Sequence, residues 1–81
     1  MMLDDIDMRR LRHFLTVSDE KHFIRTADTI GIRQQRLSMQ IRRLEDTVGA
    51  RLFTRHAKGV ALTPAGRVLQ IRDRYRRVFR G

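Results

Sequence analysis

Eighty-one residues with a formal net charge of +9 and no cysteine allow one small domain, without a disulfide framework or a thiolate metal site. A chain of this size buries only about 60% of the surface its unfolded form exposes, so oligomerisation is the usual remaining support. Met1-Met2-Leu3 leads directly into Asp4-Asp5-Ile6-Asp7. Neither a secretory signal nor a run near the roughly 20 apolar residues of a membrane span is present, and an intracellular, soluble protein is expected.

The charge is unevenly placed. Residues 1–30 carry five basic and six acidic side chains, whereas residues 31–81 carry thirteen and three; sixteen of the eighteen cations are arginine. Arginine forks onto phosphate oxygens and guanine edges better than lysine does. A basic second half on a near-neutral first half fits a nucleic-acid-binding face on a scaffold. The plain alternative is a charged surface that serves only solubility.

Residues 1–7 read as a flexible lead-in, with Asp7 as N-cap of a first helix from Met8 to about Asp19. In that helix Leu11, Phe14, Leu15 and Ser18 recur on one face. Glu20-Lys21-His22 makes the break. The second helix is expected from about Phe23 to Ile30, with Phe23, Ala27 and Ile30 inward and Gly31 at its left-handed end. The third is expected from about Gln34 to Val48, with Leu37, Ile41, Leu44 and Val48 as its core stripe and Gly49 as its end. The short turn between these two helices forces a crossing.

Leu52-Phe53-Thr54-Arg55 and Val60-Ala61-Leu62 then form two short strands around His56-Ala57-Lys58-Gly59. A hairpin this small must pack on the helices. Thr63 caps a fourth helix, Pro64 takes its first position, and the helix runs to about Phe79. Within it Val68, Ile71, Tyr75 and Val78 are spaced 3, 4 and 3 apart, a seam of the a/d kind, with Leu69 and Phe79 beside it. The expected fold class is therefore mainly α. A winged helix-turn-helix over residues 8–62 (three-helix core, two-stranded wing) is followed by a linker or dimerisation helix over 63–81.

Leu-Arg-x-Phe near the start, Leu-Ser-x-Gln-Ile-x-x-Leu-Glu in the third helix, Gly-x-x-Leu-Phe-x-Arg, and Leu-Thr-Pro-Ala-Gly occur in order. Together, from about Met8 to Leu69, they resemble the N-terminal DNA-binding domain of LysR-type transcriptional regulators. The resemblance implies a dimer joined through the fourth helix, with each recognition helix in one half of an interrupted palindrome. It also implies a C-terminal effector-binding domain. The sequence stops inside the linker helix, so it is expected to be either a domain of a larger regulator or a naturally short protein. The family pattern has Gly-Ser where this chain has Lys21-His22, so an N-cap serine is lost. It has Ser-Gln-Pro-Ala where this chain has Arg33-Gln34-Gln35-Arg36, and an arginine where this chain has Met39.

Gln34, Gln35 and Arg36 stand at the start of the third helix, where a groove-bound helix presents side chains to base edges. Glutamine pairs with adenine and arginine with guanine, each through two hydrogen bonds; capping and solvent contact is the plainer role. Met39 lies about 160° around the helix from Leu37, either against a thymine methyl or simply replacing the family arginine. Arg25, Arg33, Ser38, Arg42 and Arg43 are candidate phosphate contacts, which set register rather than sequence. Arg55 and Lys58 bracket the wing, and a salt bridge to Glu45 is the structural rival for Arg55.

His13, His22 and His56 have no ligand spacing, so no metal or other cofactor is expected. Neither serine sits in a nucleophile elbow and no paired-carboxylate pocket is evident, so no enzyme is expected. The leading reading is a dimeric, sequence-specific, double-stranded-DNA-binding regulator of the bacterial cytoplasm and nucleoid. One rival is a short interaction module that pairs with a full-length regulator through the linker helix and modulates it. A basic membrane-active peptide is another, opposed by the capped helices and the hairpin. For Val68, Ile71, Tyr75 and Val78 the alternative to a dimer seam is a fourth helix folded back on its own first helix.

Overall fold

A computed structural model describes residues 7–80, with side chains through Arg74. The order is α1 (Met8–Glu20), α2 (Phe23–Ile30), α3 (Gln34–Val48), β1 (Phe53–His56), β2 (Gly59–Leu62) and α4 (Pro64–Arg80). This is a winged helix-turn-helix with a following helix, the fold class that periodicity and turn residues lead one to expect. Residues 1–6, expected as a lead-in, lie outside the described residues.

Each boundary has a local cause. The Asp7 side chain accepts from the Arg9 N–H at 2.8 Å and opens α1. Gly31 and Gly49 close α2 and α3 at φ 84° and 81°, a region that costs an L side chain strain. The N-caps of α2 and α3, His22 and Arg33, make no side-chain capping bond. Thr63 caps α4: its hydroxyl accepts from the Gly66 N–H at 3.0 Å and donates to the Arg51 carbonyl.

The strands pair antiparallel in the register Phe53 with Leu62 and His56 with Gly59. Compared with expectation, Leu52 precedes β1 and the turn shrinks to Ala57-Lys58. The pairing extends because His56 and Gly59 take part, with Gly59 at φ 137°. The hairpin is docked on the α1–α2 turn, where the Val60 N–H donates to the Lys21 carbonyl at 3.0 Å. A Cβ on Gly59 would meet that same carbonyl oxygen, so glycine is required there for close approach as well as for conformation.

The core gathers Leu11, Phe14 and Val17 of α1, Phe23 and Ala27 of α2, Leu37, Ile41 and Leu44 of α3, and Phe53 and Val60 of the wing. Val17 is fully buried although the helical spacing picked out Leu15 and Ser18; Leu15 is only partly buried. Ser18 is buried because its hydroxyl donates to the Phe14 carbonyl at 3.0 Å, which satisfies it inside the helix. The Phe53 ring packs tilted on Phe14 at 5.3 Å and edge-on to Phe23 at 6.0 Å. These contacts tie the wing to the first two helices and fix its offset from α3.

On α4, Leu69 turns inward and is 6% exposed, while Val68 and Ile71 are 58% and 57% exposed. More than half of each is left uncovered by the described residues, which speaks against the fold-back alternative for those two. Tyr75 and Val78, the rest of the expected seam, lie outside the described side chains.

Candidate nucleic-acid interface

The outer face of α3 is built by exclusion. Leu37, Ile41 and Leu44 occupy the inward stripe, so helical geometry turns Gln35, Arg36, Met39, Arg42 and Arg43 outward, while Gln34 stands at the helix start above the stripe, and all six are exposed. Met39 is 54% exposed, in keeping with a position opposite the core stripe. The free N–H groups of the first turn and the flanking arginines make that end of the helix electropositive.

Two hollows flank this ridge. One, of about 360 Å³, lies between α3 and the wing and is bounded by Phe23, Ser38, Met39, Arg42 and Arg55. The other lies on the opposite side, between α3 and the start of α1. Met39 borders both. Arg25 on α2 and Lys58 at the wing turn are exposed. Ser38, Met39 and Arg42 therefore border the same hollow as Arg55, whereas Gln35, Arg36 and Arg43 border the other, and Lys58 stands at the wing turn.

Arg55 is more tightly held than a free wing residue. Its guanidinium carbon lies 4.3 Å from the centre of the Phe23 ring, and Nη2 donates to Ser38 Oγ at 3.3 Å. The rival partner, Glu45, is engaged elsewhere: Glu45 Oε2 accepts from the Leu52 N–H at 2.7 Å and lies 3.6 Å from Arg51 Nε. Arg51 takes the ionic role considered for Arg55. Ser38 is half-buried and already bonded to Arg55, so the two form a unit at the edge of the face.

Sequence reasoning missed Arg9, Arg10 and His13, which α1 carries to the second hollow beside Arg33, Arg36 and Arg43. The only early signal was the Arg9-Arg10 pair next to a capped helix start. His13 Nδ1 is buried without a hydrogen-bond partner. Burial first, and then the Arg9 and Arg12 charges, hold its pKa below the ordinary imidazole value. Among the described residues no cluster could hold a metal ion, and no helix is long and apolar enough to cross a membrane.

The family model for the bacterial regulatory helix-turn-helix protein, lysR family, matches residues 8–67. The HTH-type transcriptional regulator BudR of Klebsiella aerogenes is 51% identical over 61 residues, 75% of this chain and 43% of BudR. A crystal structure of Vibrio fischeri DarR in complex with DNA superposes with a TM-score of 0.81 at 37% identity, over 88% of this chain and 24% of that one. The BenM DBD/catB site 1 DNA complex superposes with a TM-score of 0.76 at 37% identity, over 80% of this chain and 73% of that one. The chain thus spans less than half the length of the full regulators it matches. With the motifs, the wing and the helix crossing in place, the chain belongs to the lysR family of bacterial regulatory helix-turn-helix proteins.

Proposed function

We propose that this chain binds double-stranded DNA sequence-specifically, as a homodimer, in the regulation of bacterial transcription, and that it acts in the cytoplasm at the nucleoid. The observation that carries this reading is the outer face of α3. Gln34, Gln35, Arg36 and Met39 are all exposed there, on a framework that superposes on relatives solved with DNA. In this reading α3 enters the major groove, with Gln34, Gln35 and Arg36 at base edges and Met39 against an apolar base surface. Arg25, Arg33, Arg42 and Arg43 hold phosphates, with Ser38 helping through Arg55, and Lys58 reaches the backbone from the wing tip. No catalytic role belongs to this reading.

The dimer seam proposed is Val68, Ile71, Tyr75 and Val78. The outward turn of Val68 and Ile71 supports it, since an apolar stripe on a helix that leaves a small domain is stabilised by pairing with its copy. A two-fold axis there sets two recognition helices against an interrupted palindrome.

Selection of duplexes from a random pool tests the reading. The expected result is an enriched, interrupted palindrome, with Gln34→Ala losing about 1–3 kcal/mol of discrimination at one base position of each half-site. No enrichment would overturn sequence-specific binding. A motif unchanged by Gln34→Ala would overturn the assignment of α3 as the reading helix.

A further inference from the structure

The hollow between α1 and α3 has a volume of about 850 Å³, and among the described residues its lining holds Arg9, Arg10, Arg33, Arg36, Arg43 and His13 but no carboxylate. Five arginines round one hollow repel one another, and among the described residues no carboxylate in that lining offsets them. Such a lining favours a polyanion. We propose that this groove is a second phosphate-binding surface, which takes the sugar–phosphate strand on the α1 side of the recognition helix.

The occupant follows from continuity. A helix in the major groove, about 12 Å wide, has a phosphate strand on each side. On one side of α3 the wing supplies Arg55, with Arg42 of α3 beside it. On the other, Gln35, Arg36 and Met39 border the groove whose far wall is the first turn of α1. A duplex seated on α3 therefore brings its second strand towards Arg9 and Arg10, and the inference rests on the DNA-binding reading given above. Arg9 is exposed and Arg10 half-buried, with the Asp7 carboxylate spent on capping the Arg9 N–H.

His13 makes the groove report on its occupant. The groups facing it are Arg9, Arg12 and Asp7 from the start of α1 and Arg36 from α3; all but Asp7 oppose its protonation. A phosphate held by Arg9 offsets the largest of those charges and raises the imidazole pKa above its DNA-free value. Binding then takes up a proton at His13, and affinity rises as pH falls through the range in which the imidazole titrates.

The test compares the full chain with Arg9→Gln/Arg10→Gln, in which glutamine keeps helix propensity and length. Helical circular dichroism verifies folding, and the single variant Arg10→Gln serves if the double variant melts. Binding to the selected duplex is followed against salt, and phosphates are ethylated singly to find which ones interfere. The expected result is a log–log salt slope shallower by about 0.9 for each phosphate lost. Interference should disappear only at phosphates on one flank of each half-site, and the selected motif should stay unchanged. The rise in affinity at low pH should vanish in His13→Gln. An ethylation pattern and salt slope identical to those of the unsubstituted chain overturn the groove while leaving DNA binding intact. A chain whose binding shows no salt dependence at all overturns the DNA reading itself.

Discussion

Lys21 carries the backbone at φ 59° and ψ 26°, and its N–H donates to the Val17 carbonyl to end α1. Its carbonyl is held by the Val60 N–H of the wing, so the residue has no freedom to relax out of the left-handed region. That conformation costs a residue with a Cβ about 1–2 kcal/mol. Glycine, which the family pattern places here, removes the cost but returns about 0.4–1 kcal/mol of freedom to the unfolded chain. The difference predicts that Lys21→Gly stabilises the domain by up to about 1.6 kcal/mol in urea denaturation. A destabilised variant would mean that the lysine side chain contributes more than its backbone costs. The strain was not legible in the sequence, although the missing cap at His22 was. A cap is recognised by residue type, whereas the left-handed turn is dictated by a helix break of only two residues, Lys21 and His22. The same limit applies to Arg55, whose ring partner Phe23 and hydroxyl partner Ser38 are distant in sequence. Local spacing put Glu45 forward because it sees charge and not the path of the wing.

Element boundaries were legible because their punctuation is local: Asp7, Gly31, Gly49 and Thr63 all stand where their side chains or conformations end or begin a helix. The family motifs turn out to be mostly this scaffold. Glu45 joins the end of α3 to the start of the wing through the Leu52 N–H, and Gly66 lets α4 start hard against the Leu52 carbonyl. Of the residues proposed to face DNA, Arg33, Gln35, Arg36 and Met39 depart from the family pattern, whereas Gln34 and Ser38 keep it. The motif residues thus carry the fold, and the departures alter the surface proposed to read bases. The two partners of Glu45 are separable by magnitude. Arg51 is 76% exposed on its side-chain surface, so its ion pair contributes little in water. The Leu52 N–H lies in a part-buried loop leading to a fully buried side chain, and leaving it without an acceptor costs about 1–3 kcal/mol. Glu45→Ala is expected to lower stability by that amount, and Arg51→Ala by less than about 0.5 kcal/mol. For a domain of this size each kcal/mol moves the melting temperature by about 4–8 °C, so thermal melts resolve the two. Equal losses would show that the ion pair, and not the backbone bond, holds the wing.

At the scale of the molecule, the stability of a small core and the geometry of DNA reading meet on α4. Leu69 anchors the helix to the body, whereas Val68 and Ile71 turn away from it and Arg67, Arg72 and Arg74 stand exposed beside them. A lone helix gains little from propensity, because nucleation is costly and packing supplies most of its stability. In the proposed dimer, pairing the stripe with its copy would supply that packing and would also bring the arginines of two chains together. Salt screens exposed charges over about 10 Å at 0.1 M. Added salt should therefore tighten the dimer while it weakens the grip on DNA, and the two opposed trends distinguish the interfaces in one titration. Ile71→Glu isolates the dimer contact: the side chain touches little of its own domain, so the fold should survive, yet a carboxylate meeting its copy at the two-fold axis is desolvated and repelled. Sedimentation of the variant is expected to give a folded monomer, with half-site binding kept and binding to the full palindrome much weakened. Loss of the second half-site from one continuous complex removes the gain of linked binding, which reaches about 10²–10⁴-fold. A variant that sediments as the same dimer would place the interface elsewhere, and with it the spacing between the two recognition helices.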